Sequence, residues 1–172
     1  MLIGTIISLR AIEEKDLEIL KSLRNHSKTR LHTREFRLLS NLNQKNWFRQ
    51  LFIDNPPKNI MFVIIKKQKI VGITGLTYID WKNRNAEISI IVDPSIKNNK
   101  KILKQSIKMI LDYGFGELGL HRIWAEIFNI ANDRIQLFEE MQFVYEGTLK
   151  EKLWRDNKWF DSRIYAKISE DV

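Results

Sequence analysis

The chain has 172 residues, a length that fits one domain able to bury a core without disulfides or structural metals. It contains no cysteine, which excludes a disulfide framework, a thiolate nucleophile and a cysteine-based zinc site. The formal net charge of +8 at pH 7 indicates either an anionic partner or a lysine-rich solvated surface.

The sequence pattern argues against several classes of partner. His26, His32 and His121 are too far apart for a metal-ligand motif, so we expect no metal. The first residues enter an alternating apolar stretch without a basic leader, and no run is long enough to cross a bilayer. We therefore expect a cytoplasmic protein without a membrane partner. The basic residues follow no RNA- or DNA-binding motif, which argues against nucleic acid.

In the first third of the chain, the hydrophobic pattern predicts a strand over residues 5–12 and a helix over residues 13–26. A second helix is predicted from residue 41. We expect Asn41 or Asn43 to cap it, and the prolines Pro56 and Pro57 to end it.

The period then changes to that of strands. Two apolar runs joined by residues 66–69 predict a hairpin, and a third strand follows at residues 85–92. The remaining predicted elements are a helix over residues 100–117, a strand over 121–128, a helix over 132–141, and a hairpin of strands 143–154 and 158–168 that turns at Asp156 and Asn157. The order β-α-α-β-β-β-α-β-α-β-β predicts an α/β domain with a mixed sheet.

Several segments of the chain carry a resemblance to a known family, among them VGITGLTYID, NAEISIIV, RIQLFEEMQF and EGTLKEKLWRDNKWFDSRIYA. These segments and the order of the elements resemble the GNAT superfamily of acetyl-CoA-dependent N-acetyltransferases. Within it, the chain is most similar to the branch of RimJ/RimL-like ribosomal-protein acetyltransferases. The resemblance covers nearly the whole chain. It implies a single domain with a mixed, mostly antiparallel sheet of about seven strands, splayed between the fourth and fifth strands and flanked by about four helices.

The resemblance implies that acetyl-CoA lies between strands 85–92 and 121–128, with its pyrophosphate at the start of the helix near Lys100. Free N–H groups and a partial positive charge at a helix start suit a pyrophosphate. The family usually places two glycines in this loop, and the corresponding positions here hold Lys101 and Leu103. We expect the side chain of Leu103 to crowd the cofactor and weaken its affinity.

Two interpretations of this loop remain open. In the first, Asn98 and Asn99 enter the left-handed region and form an anion-binding concavity, with nearby lysines adding charge. In the second, these asparagines only cap the helix, and the lysines form its solvated face. The full set of residues expected at the cofactor is Ile91, Val92, Asn98, Asn99, Lys100, Lys101, Ile102, Leu103, Asn132 and Phe138.

Acetyl transfer to an amine requires a neutral amine, a donor to the oxyanion and a proton for the leaving thiolate. Glu87 is the expected base, acting directly or through water, because related enzymes place a carboxylate on this strand. The alternative role for Glu87 is a structural pairing with an arginine. Main-chain N–H groups near Ile91 and Val92 are expected to polarise the thioester carbonyl.

The group that protonates the thiolate is not evident. The family commonly has tyrosine in the pattern Leu-Tyr-x-x-x-Gly-Phe, but here Phe138 and Gln142 stand at the tyrosine and glycine positions. Phenylalanine has no proton to donate. The proton then comes from solvent, Tyr113 or Tyr145, or the thiolate leaves unassisted. Asn132 either hydrogen-bonds the pantetheine arm or caps its helix.

The acceptor site is expected in the basic segment of residues 22–48, at Arg24, Asn25, His26, Arg30 and Trp47. Arg34, Arg37 and His32 add further charge and hydrogen-bond donors there. The segment also resembles the acceptor region of nucleotide-amino-sugar N-acetyltransferases. The alternative is a solvated, arginine-rich linker between two helices.

Two functional hypotheses follow. The first is direct transfer of acetyl from acetyl-CoA to a protein N-terminus or to an amino sugar on a nucleotide. The second is a catalytically inactive GNAT-fold binding module with a degenerate cofactor loop. Trp154 and Trp159 are either buried in the monomer or part of a homodimer interface.

Overall fold

The computed structural model describes residues 1–97 and 99–170, which form one eight-stranded sheet with helices packed on both faces. The strands are β1 (Leu2–Ile3), β2 (Ser8–Ala11), β3 (Ile60–Lys66), β4 (Lys69–Asp80), β5 (Asn85–Val92), β6 (Arg122–Phe128), β7 (Val144–Arg155) and β8 (Lys158–Ile168). The helices are α1 (Leu17–Asn25), α2 (Ser27–Arg30), α3 (Asn41–Gln50), α4 (Lys100–Asp112) and α5 (Asn132–Glu140).

The predicted α/β architecture is confirmed. The sheet has the order β1-β2-β3-β4-β5-β6-β8-β7, and its pairs are antiparallel except for β5 and β6. The described residues contain one strand and one helix more than expected, because the two-residue β1 and the four-residue α2 are too short for a periodic signal.

The core is divided between the two faces of the sheet, because neighbouring side chains of a strand point to opposite faces. Ile90 belongs to the cluster beneath α4 and α5, whereas Ile91 belongs to the cluster beneath α1 and α3. Helix α4 continues into a π-helical turn at residues 113–117, which keeps Gly114 against Ile123 and Leu76.

Strands β5 and β6 pair only at one end and then diverge. The parallel register joins Asn85–Glu87 to Arg122–Trp124, and no further pairs are formed between the described residues of these strands. The rest of β5 therefore has one edge without a neighbouring strand. This is the splay that the sequence resemblance implied.

The two hairpin turns form as predicted. Lys67 and Gln68 connect β3 to β4 with φ values of 47° and 64°, and Asp156 and Asn157 connect β7 to β8 with φ values of 48° and 58°. Positive φ at both central residues is typical of the two-residue turns whose twist matches that of the strands.

The predicted limits of α3 are wrong at both ends. Its N-cap is Ser40, whose hydroxyl accepts from the N–H of Asn43, while the Asn43 side chain accepts from the N–H of Ser40. This reciprocal pair satisfies two free donors at once. The helix ends at Gln50, well before Pro56; Leu51 is half-buried, but the two apolar residues after it, Phe52 and Ile53, are exposed. Extending the helix over them would bury nothing.

Trp154 and Trp159 lie on the last hairpin, opposite each other in β7 and β8. Their rings are 5.0 Å apart, and the residues are 48% and 55% exposed. Burial within the monomer is therefore wrong for both. The homodimer stays a prediction.

Candidate active site

A cleft of about 390 Å³ opens where β5 and β6 diverge. Its walls come from α1, the loop of residues 31–40, α3, β4, β5, β6 and α5. The charged and aromatic residues that line it include Arg24, His32, Arg34, Glu35, Trp47, Tyr78, Glu87, Glu126, Phe128 and Arg134. The cleft joins the splayed strands to the basic segment in which the acceptor site was expected.

Two buried carboxylates face each other across this cleft, and a guanidinium lies between them. Glu87 of β5 accepts hydrogen bonds from Arg34 at both oxygens, with Nη1 at 2.8 Å from Oε2 and Nη2 at 2.5 Å from Oε1. Glu126 of β6 accepts from Nε and Nη2 of the same arginine, with Nε at 2.8 Å from Oε2. The two glutamate side chains are 8% and 6% exposed, so removal of Arg34 would leave both charges poorly solvated.

The charge on Arg34 is fixed by this arrangement. Burial by itself would lower the pKa of the guanidinium, but the hydrogen bonds and charges of Glu87 and Glu126 outweigh burial and raise it. The Arg34 side chain remains 42% exposed, and its guanidinium carbon lies 5.9 Å from the ring centre of Tyr78. The hydroxyl of Ser162 in β8 donates to the other oxygen of Glu126 at 2.7 Å.

The loop of residues 31–40, here the acceptor loop, is held by contacts from three parts of the chain. The Asn25 side chain pairs with both backbone groups of Leu39 at 2.8 Å, and Arg30 donates to the carbonyl of Phe36. Arg155, at the end of β7, donates to the carbonyls of Thr33 and Arg34. These bonds fix the position of Arg34 over the carboxylates.

The structure separates the predicted acceptor residues into two groups. Arg24 and Trp47 line the cleft. Asn25 and Arg30 hold the acceptor loop, and His26 caps α2 by accepting from the N–H of Lys28. Asn25 and Arg30 therefore support the acceptor loop, and His26 supports the start of α2.

Three basic side chains in the cleft are desolvated without a carboxylate bonded to them. Burial lowers the pKa of Arg24, and the distant charge of Glu35 only partly offsets this. Burial also lowers the pKa of Arg134, which donates to the carbonyl of Ile90 at 3.1 Å. Burial and the charge of Arg134 lower the pKa of His32, whose buried Nδ1 has no hydrogen-bond partner. Arg24 and Arg134 thus bring positive charge into the cleft without a carboxylate bonded to either guanidinium.

At the splay, the strand geometry distinguishes the two predicted oxyanion donors. The carbonyl of Ile90 faces the splay because it accepts from Arg134. Backbone groups alternate along a strand, so Val92 also presents its N–H to the splay, whereas Ile91 pairs with Ile73 of β4. The expected use of the Ile91 N–H is therefore wrong, and Val92 is suitably placed.

The start of α4 corrects one prediction about the cofactor loop. Asn99 is the N-cap of α4, with φ −68° and ψ −6°, which is the right-handed region, and its side chain makes no capping hydrogen bond. Asn98 lies outside the described residues. Asn99 already has the right-handed conformation of the helix that follows, so it does not adopt the left-handed one. The first N–H groups of a helix have no partner within it, and in α4 these belong to Lys100, Lys101 and Ile102.

The side chains around this helix start are placed differently from one another. Lys100 and Lys104 both pair with Glu140 of α5, at 2.6 and 2.8 Å, while Lys101 is exposed. Ile102 is buried in the core and Leu103 packs at its edge. Because its side chain lies in the core, Ile102 can offer a ligand only its backbone.

The remaining predicted residues lie on α5. Asn132 is the first residue of the helix and is exposed, and the N-cap is Ala131, so a capping role for Asn132 is wrong. Phe138 is 2% exposed and packs edge-on against Phe143. Tyr113 packs against Phe62, and Tyr145 is hydrogen-bonded to Thr148. Neither of these tyrosines lines the cleft.

The described residues contain no group of three or more histidine, aspartate or glutamate side chains that could hold a metal ion. Over the same residues, no helix has the length and apolar character needed to span a bilayer.

Comparison with known proteins identifies the family. A family model described as an acetyltransferase (GNAT) domain matches residues 9–164, which is most of the chain. The chain belongs to the GNAT acetyltransferase family.

Its relatives within the GNAT family include named enzymes. Spermidine N(1)-acetyltransferase of Vibrio cholerae is 29% identical over 166 residues, covering 95% of this chain and 94% of the relative. The enzyme of the same name from Escherichia coli K12 is 24% identical over 158 residues, covering 89% and 81%. A solved structure of the Vibrio cholerae enzyme with CoA and spermine superposes with a TM-score of 0.84 at 25% identity, covering 96% of each chain.

These matches confirm the prediction of an acetyl-CoA-dependent N-acetyltransferase of GNAT type. They do not show the RimJ/RimL branch or the likeness to nucleotide-amino-sugar enzymes.

Sequence reasoning did not assign a role to Glu126, Arg134 or Tyr78. A signal was present for Glu126, because the triplet Ala-Glu-Ile occurs in both β5 and β6 and places one charged residue within a buried strand each time. Arg34 was noted only as one of several arginines in a basic segment. Its special position depends on contacts that are distant in sequence.

Proposed function

We propose that this GNAT enzyme transfers the acetyl group of acetyl-CoA to a primary amine of a polyamine such as spermidine. Two relatives that align with most of the chain are named spermidine N(1)-acetyltransferases, and a similar solved structure contains CoA and spermine. Protein N-termini and nucleotide-linked amino sugars, the acceptors expected from the sequence, become the alternatives that an experiment must separate.

The observation that carries this proposal is the binding of a cation by Glu87 and Glu126. Both carboxylates are buried at the cleft and both bond to one guanidinium. Two negative charges and one positive charge leave a net charge of −1, which attracts an ammonium group. A nucleotide-linked acceptor would instead bring its phosphates near these carboxylates, at a cost in electrostatic energy.

The donor side of the cleft suits a phosphorylated cofactor. The free N–H groups at the start of α4 and the exposed Lys101 favour a pyrophosphate there. Acetyl-CoA supplies an activated thioester carbonyl when bound. The N–H of Val92 faces the splay, where it is placed to donate to that carbonyl as negative charge develops.

The amine is expected to react directly with the thioester, since the chain has no cysteine to carry an acetyl group. Glu87 and Glu126 hold the ammonium group, and Glu87 accepts its proton directly or through water. Phe138 donates no proton, so the leaving thiolate is protonated by solvent. The expected homodimer is part of this proposal, and it is supported by a solved dodecameric relative, the Vibrio cholerae spermidine N-acetyltransferase.

The test is incubation of the purified protein with acetyl-CoA and a panel of amines, followed by mass spectrometry of each amine. The panel contains spermidine, spermine, peptides with free N-termini and an amino sugar linked to a nucleotide diphosphate. We expect a single added acetyl group on the polyamines. Acetylation of a peptide or of the sugar nucleotide, with the polyamines unchanged, would show that the proposed substrate class is wrong.

A further inference from the structure

We propose that Arg34 adjusts the charge of the acceptor site so that an amine bound beside Glu87 and Glu126 gives up its proton more easily. The inference rests on the proposed function, because it concerns the same carboxylates and the same cationic acceptor. It adds a residue that tunes the protonation of the substrate without reacting with it.

The geometry shows that Arg34 is a fixed part of the site. Its guanidinium makes four hydrogen bonds to two buried carboxylates, using Nε, Nη1 and Nη2. Its backbone is held as well, because Arg155 donates to the carbonyls of Thr33 and Arg34 at 2.8 and 3.2 Å. An arginine bound at both its head and its backbone stays in the site while an amine binds beside it.

The reaction gives this position a chemical consequence. Only a neutral amine attacks the thioester, yet an amine with a pKa near that of lysine is on the order of 0.1% neutral at pH 7. Two carboxylates alone would bind the ammonium tightly and retain its proton. The guanidinium reduces their joint charge from −2 to −1, and a neighbouring positive charge favours the neutral amine.

Other ionisable groups also face this cluster, and they come from several elements. They are Arg24 of α1, His32 and Glu35 of the acceptor loop, Tyr78 of β4 and Arg134 of α5. Hydrogen bonds from Arg37 lower the pKa of Glu35 to about 2, which keeps it ionised and already paired. Burial keeps His32 neutral near pH 7. Among the described residues, Arg34 is the cation bonded to both carboxylates.

The test is the pH profile of kcat and KM, measured with the amine that the unmodified enzyme acetylates. We expect Arg34→Met to move the acidic limb of the kcat profile to higher pH by about one unit. At neutral pH, kcat then falls roughly tenfold, while KM for the cationic amine falls because the ammonium binds more tightly. Arg34→Lys, which keeps the charge, should return the limb towards its original position.

Two further variants sharpen the test. Glu126→Gln removes one negative charge and should move the acidic limb to lower pH, opposite to Arg34→Met. Arg122→Met is the matched control, because Arg122 pairs with a single glutamate, Glu146, and does not line the cleft. Its acidic limb should not move.

Two results would overturn the inference. An unchanged acidic limb in Arg34→Met, with higher kcat/KM at every pH, would show that Arg34 merely blocks the site. An unchanged limb with lower kcat/KM, not restored by lysine, would show a purely structural role. If the enzyme acetylates an amine other than a polyamine, the proposed substrate class fails, and the same pH profiles still decide the role of Arg34.

Discussion

Two regions differ in how their charges are matched: the carboxylates in the cleft, here the acceptor end, and the start of α4, here the donor end. At the acceptor end, Glu87 and Glu126 are both bonded to Arg34, and the cluster has a small negative charge. At the donor end, Glu140 forms ion pairs with both Lys100 and Lys104, so the positive charge exceeds the negative. The N-terminus of α4 adds a partial positive charge. The acceptor end is thus suited to a cation and the donor end to an anion. The two regions differ in charge as expected for two substrates of opposite charge.

The largest effect on activity should come from removing one carboxylate charge at the acceptor end alone. We expect Glu87→Gln to lower kcat/KM for the amine about 100-fold, because it removes one of the two buried charges proposed to bind the ammonium. The dissociation constant of acetyl-CoA, measured by calorimetry, should stay within about twofold. Glu146→Gln, which also removes a carboxylate paired with an arginine, is the control outside the cleft. Equal losses for both substrates in Glu87→Gln would contradict the separation of the two ends.

Changes at the donor end should affect acetyl-CoA instead. The double variant Lys100→Met with Lys101→Met is expected to raise the dissociation constant of acetyl-CoA roughly tenfold, because two cations near the phosphates are lost. Glu140→Gln should lower that constant, since it frees Lys100 and Lys104 from their ion pairs.

The control for the donor end is Lys108→Met, on the same helix but paired with Asp112. Its affinity for acetyl-CoA should be unchanged. If Glu140→Gln weakens binding of acetyl-CoA, the lysines do not contribute in the manner expected here.

His32, between the two ends, should make the folded state sensitive to acid. Burial and the charge of Arg134 lower its native pKa below the ordinary value of 6.5, so the unfolded chain binds more protons below that pH. The stabilising contribution is complete above pH 6.5 and is lost as the pH falls towards the native pKa. We expect the free energy of unfolding to fall as the pH drops below 6.5. Urea titrations at several pH values should show a shallower dependence in His32→Gln, and an identical dependence would exclude His32 as the cause.

The smallest effect should come from a substitution that touches neither end. Gln142 follows α5 with a φ of 63°, a left-handed conformation that glycine adopts without strain. Gln142→Gly should stabilise the fold by about 1 kcal/mol without changing either substrate affinity. The same replacement at the exposed Gln136, within α5, should destabilise it by a similar amount. A lower melting temperature for Gln142→Gly would contradict this account.

Local sequence was sufficient for features that depend on a few neighbouring residues. The turns at Lys67–Gln68 and Asp156–Asn157 follow from polar residues between two apolar strands. The cap of α3 was misplaced because the signal is the pair Ser40 and Asn43, whereas the prediction considered Asn41 and Asn43 but not Ser40. Resemblance to a family gave the splay of the sheet, which no local pattern encodes.

The candidate site was less predictable because it depends on long-range contacts. Glu87 was identified through the resemblance, because related enzymes place a carboxylate on this strand, whereas Glu126 was not identified although it occurs in the same Ala-Glu-Ile triplet. Arg34 was not distinguished from Arg30 or Arg37, since only the folded acceptor loop brings it to the carboxylates. The left-handed conformation predicted for Asn99 was wrong because it was inferred from missing glycines and not from the turn that leads into α4.

The hydrogen bonds from Arg155 to the acceptor loop have a consequence for the order in which the protein folds. Its partners, the carbonyls of Thr33 and Arg34, precede it by more than 120 residues in the chain. During synthesis, the early part of the protein emerges from the ribosome long before this arginine does. The loop therefore acquires this anchor only after β7 has been synthesised, and a polypeptide that stops before Arg155 holds Arg34 less firmly over Glu87 and Glu126.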